Sequence, residues 1–121
     1  MKTATSRFSV CPHDTAKNLA GWFLLNTYLQ RNMDCSLHFE PRDNFDQERE
    51  AVLQGGYHLV YANPYSAVVY AKRLGFIPIA KQIDSFDETL LIARKDFAVD
   101  SARRLRIAVA SSRLVVHLLG L

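Results

Sequence analysis

The sequence lacks several features that would place it in a familiar class of protein. It contains no apolar run approaching the ~18 residues that a membrane-spanning helix needs. Its amino terminus, MKTATSRFSV, carries a lysine but no apolar central region, so a secretory signal is not predicted within the chain. It also has no Walker loop, glycine-rich dinucleotide turn or nucleophile elbow. We therefore find no sequence signature of nucleotide binding or of acyl transfer.

Cysteine and histidine are too sparse to form a framework or a metal site. Cys11 and Cys35 are predicted to end one strand and begin the next. If those strands are parallel, the thiols lie at opposite edges of the sheet, beyond the ~7 Å Cα separation that a disulfide tolerates. We expect both to be reduced. Because the histidines show no metal-ligand spacing, neither a metal nor another cofactor is predicted; they are His13, His38, His58 and His117.

Charge and composition indicate one ordinary globular domain. The 121 residues are 49% apolar and 22% charged, which excludes a disordered or collagen-like chain. The net charge of +3 is mild, and the basic residues are scattered except for Arg103, Arg104 and Arg106. Since a nucleic-acid-binding face is normally denser in basic residues, no nucleic-acid partner is predicted.

Apolar alternation and helix caps follow each other along the chain. Asp14 or Thr15 is predicted to cap a first helix, Asp43 and Asn44 a second, and Asn63 a third, over residues 64–74. Strict alternation of strands and helices predicts right-handed crossovers and a mainly parallel α/β sheet with helices on both faces. The predicted strands are residues 7–11, 35–40, 57–62, 76–80, 89–93 and 105–110.

The same patterns predict which side chains are buried. A stripe at helical spacing marks the inner face of the first helix, namely Leu19, Trp22, Phe23, Asn26 and Leu29. The third helix is expected to turn Ala67, Val68, Ala71 and Leu74 inward. The predicted core comprises Phe8, Val10, Trp22, Leu37, Phe39, Leu59, Val60, Ile77, Ile79, Leu91 and Ile92.

The segment YHLVYANPYS, residues 57–66, is the most informative part of the sequence. A short strand leads directly into Asn63-Pro64, a capping residue followed by proline at the first helical position. Such a junction directs backbone amides and the positive end of a helix dipole beyond the strand, which favours an anion. The same arrangement is predicted at Pro12-His13-Asp14-Thr15 and at Ser111-Ser112.

Several segments together resemble a known family. They are RFSVCPHDT, the helix that carries Trp22 and ends in Tyr28-Leu29, the block GGYHLVYANPYSAVVYAKRLGF, and DETLLIARKD before LRIAVASS. This ensemble resembles the amino-terminal portion of a phosphonate/phosphate-type substrate-binding protein of ABC transporters, which has the type II periplasmic-binding-protein fold. His58 departs from the aspartate that is usual in the third segment.

The resemblance implies one lobe of a two-lobe clamp. Residues 1–96 are expected to form the first lobe, and residues 97–121 the crossover and the start of an incomplete second lobe. Ligand residues are expected at the strand-to-helix junctions, with an ABC permease as the partner in transport. The family implies a periplasmic location, whereas the chain as written has no signal peptide and would be cytoplasmic. The expected ligand-binding residues are His13, Asp14, Asn63, Tyr65, Ser66, Ser111 and Ser112.

The same residues also have simpler interpretations. His13 fits a ligand-edge residue or an ordinary turn residue, and Asp14 is better explained as a helix cap than as a catalytic base. Tyr61 and Tyr65 either line a cleft or belong to the core. No base and nucleophile pair is evident, so an enzyme is not predicted. The leading hypothesis is a non-catalytic protein that captures phosphate, phosphite or a phosphonate. The alternative is a ligand-sensing or protein-interaction regulatory domain of the same fold.

The apolar carboxyl-terminal segment, residues 105–121, generates a prediction about assembly. Burying one leucine or valine side chain is worth about 1.5–3 kcal/mol, so several exposed ones are too costly for a marginally stable domain. The segment can be covered either by the chain's own sheet or by the same segment of a second copy, and we favour the second, a two-fold homodimer. Light scattering should show a dimer for the intact chain and a monomer for a version that ends at Asp100. Two equally soluble monomers would contradict it.

Overall fold

A computed structural model of the chain describes residues 4–85, residue 92 and residues 94–96. The chain divides into two compact units, Met1–Pro78 and Ile79–Leu121. The elements described below all belong to the first unit. The predicted strands at residues 89–93 and 105–110 lie outside the described residues, apart from Ile92, as does the apolar segment that follows them.

The first unit is built on a parallel sheet, as the alternating sequence pattern predicted. The strand order is β2-β1-β3, so β1 is central and pairs in parallel with both neighbours. Phe8 lies opposite Phe39 on one side and opposite Leu59 on the other. The strands are β1 (Ser6–Val10), β2 (Leu37–Phe39) and β3 (Leu59–Tyr61).

Each strand is followed by a helix with a recognisable start or end. The helices are α1 (Pro12–Asn32), α2 (Phe45–Leu53) and α3 (Pro64–Leu74). The Asn44 side chain accepts a hydrogen bond from the Gln47 amide and caps α2. Asn63 caps α3, which ends at Gly75 in the left-handed conformation that glycine adopts without strain. These caps confirm the predicted start of α2 and the predicted bounds of α3.

The start of α1 differs from the prediction. Its N-cap is Cys11, with Pro12 at the beginning of the helix, so Asp14 and Thr15 lie inside the first turn. The prediction failed because proline at the first helical position suits a helix start whatever residue precedes it. Helical geometry is then interrupted at Asn18, where φ is −158° and ψ is 68°.

A second cap restarts α1 after this interruption. The Asn18 side-chain oxygen accepts a hydrogen bond from the Gly21 amide at 2.9 Å, which is N-cap geometry. A Cβ at position 21 would lie 2.3 Å from the Asn18 side-chain nitrogen, so the glycine makes room for this cap. The long helix is therefore two helical segments with a capped junction.

Helices lie on both faces of the sheet, as predicted. Phe8, Val10, Leu37 and Phe39 are buried together on one face, beneath Trp22 and Leu29 of α1. The alternation of a strand turns Ser9 to the opposite face, where its hydroxyl reaches Glu48 of α2. A second apolar cluster contains Val52 of α2, Tyr70 of α3 and Tyr57, which precedes β3.

The predicted strand at residues 76–80 is wrong, and so is its place in the core. The structure has no strand there, and Ile77 and Ile79 are 78% and 76% exposed. Pro78 between them cannot donate to a strand ladder, which disfavours pairing despite the apolar alternation. Ile92 is also not a core residue, because 92% exposure leaves almost no area for packing. Leu91 lies outside the described residues, and Leu59 and Val60 are half-buried.

The inner face of α3 was also predicted wrongly. Ala67, Val68, Ala71 and Leu74 are exposed, whereas Ser66 and Tyr70 are buried. The reason is a polar anchor: the Tyr70 hydroxyl donates to the Glu48 carboxylate at 2.8 Å, which turns this side of the helix toward α2.

The predicted stripe on α1 is only partly buried. Asn26 is buried, with its side-chain nitrogen donating to the Leu37 carbonyl at 3.1 Å. Leu19 and Phe23 are nearly half exposed, although the Phe23 ring still contacts Phe39 at a centroid distance of 4.9 Å. A sheet of three strands is too narrow to cover every side chain of the stripe predicted for α1.

An ionic cluster joins β1 to the loops on either side of α2. Arg7 donates from Nε and Nη2 to the Glu40 carboxylate at 2.8 and 2.7 Å. The Tyr57 hydroxyl donates to the same carboxylate at 2.7 Å, and Arg42 lies 3.3 Å from it. The Arg7 guanidinium also stacks over the Tyr57 ring, 4.2 Å from its centroid. This cluster fixes two loops that the short strands alone leave weakly held.

Replacing Trp22 with Ala should destabilise the fold substantially. The indole packs against Phe8 and Tyr61, and its nitrogen donates to the Asp14 carbonyl at 3.0 Å. We expect a loss of about 3 kcal/mol, at the low end for such substitutions because the side chain is only half-buried. Urea unfolding followed by circular dichroism measures it. Leu24→Ala on the same helix, where the side chain is 71% exposed, is the control and should change little. A Trp22→Ala variant as stable as the parent would refute this packing.

Acid should weaken the fold through Glu40. Its hydrogen bond from Arg7, aided by Tyr57, lowers the pKa of the carboxyl from 4.5 to about 2. A depressed carboxyl pKa adds stability that is complete above pH 4.5 and disappears as the pH falls toward 2. Glu40→Gln should therefore cost about 1–2 kcal/mol near neutral pH and progressively less in acid. Denaturant unfolding across this range tests it.

The matched control for Glu40 is Asp46→Asn, which removes a carboxylate that is 83% exposed and 3.4 Å from Arg49. It should cost less than Glu40→Gln near neutral pH. An unfolding free-energy difference between wild type and Glu40→Gln that stays constant down to pH 2 would show that Glu40 has no depressed pKa.

Candidate functional site

The order of the sheet places a crevice beside its central strand. Helix α1 leaves β1 on one face, whereas α3, which follows the neighbouring strand β3, packs with α2 on the other face. Adjacent parallel strands whose helices diverge in this way form a topological switch point, and open α/β sheets bind ligands there. The candidate site is therefore the corner where β1 meets α1 and β3 meets α3, called below the ligand corner.

Direct contacts hold the two halves of the ligand corner together. The Cys11 amide donates to the Tyr61 carbonyl at 2.8 Å, which extends the β1–β3 pairing to the helix starts. The Asn63 side-chain nitrogen lies 3.9 Å from the Cys11 sulfur. Two junctions that are 52 residues apart in sequence thus become neighbours.

The β1–α1 half carries His13 and Asp14. His13 is exposed at the surface, whereas Asp14 is half-buried. The Thr15 hydroxyl lies 3.2 Å from the Cys11 carbonyl and 3.1 Å from the Pro12 carbonyl, and it donates toward both. The Trp22 indole nitrogen donates to the Asp14 carbonyl. These hydrogen bonds together hold the first turn of α1, on which His13 lies.

The β3–α3 half carries Asn63, Tyr65 and Ser66. The Asn63 side-chain oxygen accepts from the Ser66 amide at 2.9 Å, so that amide is committed to the cap. Ser66 itself is buried, and its side chain packs toward the interior. Tyr65 is half-buried, with the Arg49 guanidinium 5.6 Å from its ring centroid. The structure thus brings His13, Asp14 and these three residues to one corner.

The remaining predicted site residues, Ser111 and Ser112, lie outside the described residues. Their role as ligand residues stays a prediction.

A thiol occupies the centre of the ligand corner. Cys11 is buried, and both Cys11 and Cys35 are free thiols outside any disulfide. Burial raises the pKa of the Cys11 thiol, as do the carboxyl groups of Asp14 and Glu48, while hydrogen bonds from the His13 and Asn63 backbones oppose the change. The thiol is therefore protonated and neutral. Its sulfur accepts hydrogen bonds from the backbone at both helix starts.

A buried carboxyl group beneath the corner was missed from the sequence. Glu48 accepts from the Ser9 hydroxyl at 3.3 Å and from the Tyr70 hydroxyl at 2.8 Å. Burial raises its pKa, although the two hydroxyl donors act in the opposite direction. One sequence signal was available, because Glu48 stands one helical turn before the buried Val52 and so lies on the inner stripe of α2.

The described residues contain neither a metal-ligand cluster nor a helix suited to span a membrane. No group of three or more histidine, cysteine, aspartate or glutamate side chains there could hold a metal ion. None of the helices in the described part of the chain is both long and apolar enough to cross a bilayer.

Comparison with known proteins identifies the family. Neither the curated proteins nor the solved structures gave a significant match. A protein-family model described as "ABC transporter, phosphonate, periplasmic substrate-binding protein" matches residues 8–118, a range that includes most of β1, the other two strands, the three described helices and the whole ligand corner. The match covers nearly all of the sequence and agrees with the parallel α/β fold. The chain belongs to the phosphonate substrate-binding protein family of ABC transporters.

Proposed function

We propose that this chain captures a small oxyanion, namely phosphate, phosphite or a phosphonate, at the ligand corner for ABC-type uptake. The observation that carries the proposal is the position of a capped helix start, Asn63-Pro64, at the switch point of a parallel sheet. The family match supports the same class of ligand. His13, Asp14, Asn63, Tyr65 and Ser66 are the proposed ligand-binding residues. Ser111 and Ser112 remain candidates from the resemblance.

Physical chemistry supports an anion at this position. The start of α3 carries the positive end of its dipole, and α3 has no acidic residue in its first turn to neutralise it. The exposed imidazole of His13 lies on the first turn of α1, across the corner from this helix start. Backbone and imidazole donors suit an oxyanion because they bind negative charge without a buried counterion.

The arrangement favours holding a ligand over reacting with it. The thiol at the centre of the corner is neutral because burial raises its pKa, and a neutral thiol is a poor nucleophile. The family consists of substrate-binding components of transporters. We therefore propose a non-catalytic protein that acts in the periplasm and delivers its ligand to a permease.

One observation favours the second candidate, a regulatory or protein-interaction domain. Large apolar side chains are exposed on α1 and α3, among them Leu24 at 71%, Tyr28 at 61% and Val68 at 53%. Leu24 and Tyr28 are one turn apart on α1, and neighbouring exposed apolar side chains of this kind are typical of a protein-binding face.

The oxyanion proposal predicts weak but specific binding. Calorimetry with phosphate, phosphite and methylphosphonate should give a dissociation constant of about 1 mM, or about −4 kcal/mol. The amide resonances of His13, Asp14, Asn63 and Tyr65 should shift with the same dependence on concentration. If no anion shifts them even at high concentration, retained ligand capture is refuted and the interaction-domain candidate replaces it.

A pair of matched variants separates binding from stability. Asn63→Ala and Asn44→Ala each remove a side-chain cap with a 2.9 Å bond, on α3 and α2 respectively. Each should lower the unfolding free energy by about 1 kcal/mol. Only Asn63→Ala should weaken anion binding, because only that cap lies at the ligand corner. If both variants weaken anion binding equally, the cause is the reduced stability of the fold and not the loss of the Asn63 cap.

A further inference from the structure

Glu48 is a buried acid that neither caps a helix nor serves the ionic cluster around Glu40. Glu48 is 2% exposed and lies on the side of α2 that faces the sheet. Oε1 accepts from the Ser9 hydroxyl at 3.3 Å, and Oε2 accepts from the Tyr70 hydroxyl at 2.8 Å. A buried carboxyl with two neutral hydroxyl partners is costly to keep, so its position calls for a reason beyond packing.

Both hydroxyl partners connect Glu48 to the ligand corner. Ser9 lies in β1 two residues before Cys11, the N-cap of α1. Tyr70 lies one helical turn after Ser66, and both are on the buried side of α3. The carboxyl group therefore joins the strand that leads into one half of the corner to the helix that begins at the other half.

We propose that Glu48 is a positioning residue for the ligand corner, and that anion binding there is coupled to the proton on its carboxyl group. The coupling part rests on the proposed function, because it requires an anion at the corner. The positioning part depends only on the hydrogen bonds to Ser9 and Tyr70.

The coupling follows from charge. An ionised Glu48 repels an anion at the adjacent helix starts, and this repulsion acts in a poorly solvated environment. A protonated Glu48 does not repel it and can donate to Ser9 or accept from Tyr70. Anion binding should therefore draw a proton from solvent onto Glu48, and anion affinity should fall as rising pH ionises this group.

The other groups around Glu48 do not share this role. Burial raises the pKa of the Tyr70 hydroxyl, with Glu48 adding to the effect, and burial also raises that of the Cys11 thiol. Both stay neutral where a carboxyl group titrates. The guanidinium of Arg49, the next residue on α2, favours the ionised form of Glu48. Among these neighbours, Glu48 is the group whose charge changes.

The test compares Glu48→Gln with Glu50→Gln. Glu50 lies on the exposed side of the same helix, so its variant removes an equal charge without touching the buried contacts. Methylphosphonate binding is measured by calorimetry as a function of pH, in buffers of different ionisation enthalpy. Wild type and Glu50→Gln should take up a proton on binding and lose up to about tenfold in affinity per pH unit above the Glu48 pKa, relative to Glu48→Gln.

A second variant keeps the test decisive if Glu48→Gln does not fold. Tyr70→Phe removes a donor that favours the ionised carboxylate, so it should move the fall in affinity to higher pH. An unchanged pH profile in Tyr70→Phe would count against the coupling.

The outcomes distinguish this inference from the proposed function. If wild type and Glu48→Gln bind methylphosphonate with the same proton uptake, the coupling is refuted and oxyanion capture stands. If no variant binds the anion, oxyanion capture and the coupling both fail. The positioning part is then decided by ligand-free NMR. In wild type and Glu50→Gln, the backbone amide resonances of Cys11, His13 and Asn63 should shift with pH as the Glu48 carboxyl group titrates. They should not shift in this way in Glu48→Gln. Amide resonances of wild type that do not shift with this titration would refute the positioning role.

Discussion

The central strand β1 is the constraint on which the rest of this unit depends. It pairs in parallel with both neighbours, so its two edges are occupied and its two faces must be covered. Phe8 and Val10 supply an apolar face for α1, while Arg7 and Ser9 supply a polar one for the loops and helices opposite. Because successive side chains of a strand alternate, this division is set by four consecutive residues. It forces α1 and α3 to opposite faces and so creates the switch point.

The polar face of the sheet is held by two networks of different character. The cluster around Glu40 is partly exposed and fully ionic, and Arg7 with Tyr57 keeps that carboxyl charged by lowering its pKa to about 2. Glu48, by contrast, is buried among hydroxyl groups, and burial raises its pKa. The first network keeps its charge through ordinary changes of pH, whereas in the second network burial disfavours the charged form of the carboxyl group. A single face of the sheet thus combines an ionic cluster with a buried carboxyl group, to which the proposed coupling assigns a response to the ligand.

Local features of the structure were predictable from sequence, and tertiary ones were not. Asn63-Pro64 and Gly75 specify a helix start and end through their own backbone and side-chain preferences, so α3 was bounded correctly. Which face it buries depends on Tyr70 reaching Glu48, a contact between residues 22 apart in sequence. Apolar spacing alone favoured the opposite side. In the same way, Ile77 and Ile79 alternate like a strand, but Pro78 between them is unsuited to pairing.

The ligand corner was only partly predictable for the same reason. Its residues follow strand ends, and the rule that ligands bind at the carboxyl edge of a parallel sheet is enough to select them. The sequence indicates only a strand end at Cys11, yet its buried sulfur lies 3.9 Å from the Asn63 side-chain nitrogen and accepts hydrogen bonds from the His13 and Asn63 backbones. A neutral thiol there adds no charge at the start of α3, which has no acidic residue in its first turn, whereas the first turn of α1 carries Asp14. The carboxyl groups that act electrostatically on this thiol are those of Asp14 and Glu48, and they are the groups that would repel an anion bound at the corner as proposed. Of these, Glu48 is the buried one, and the proposed coupling assigns to its protonation the role of reducing that repulsion.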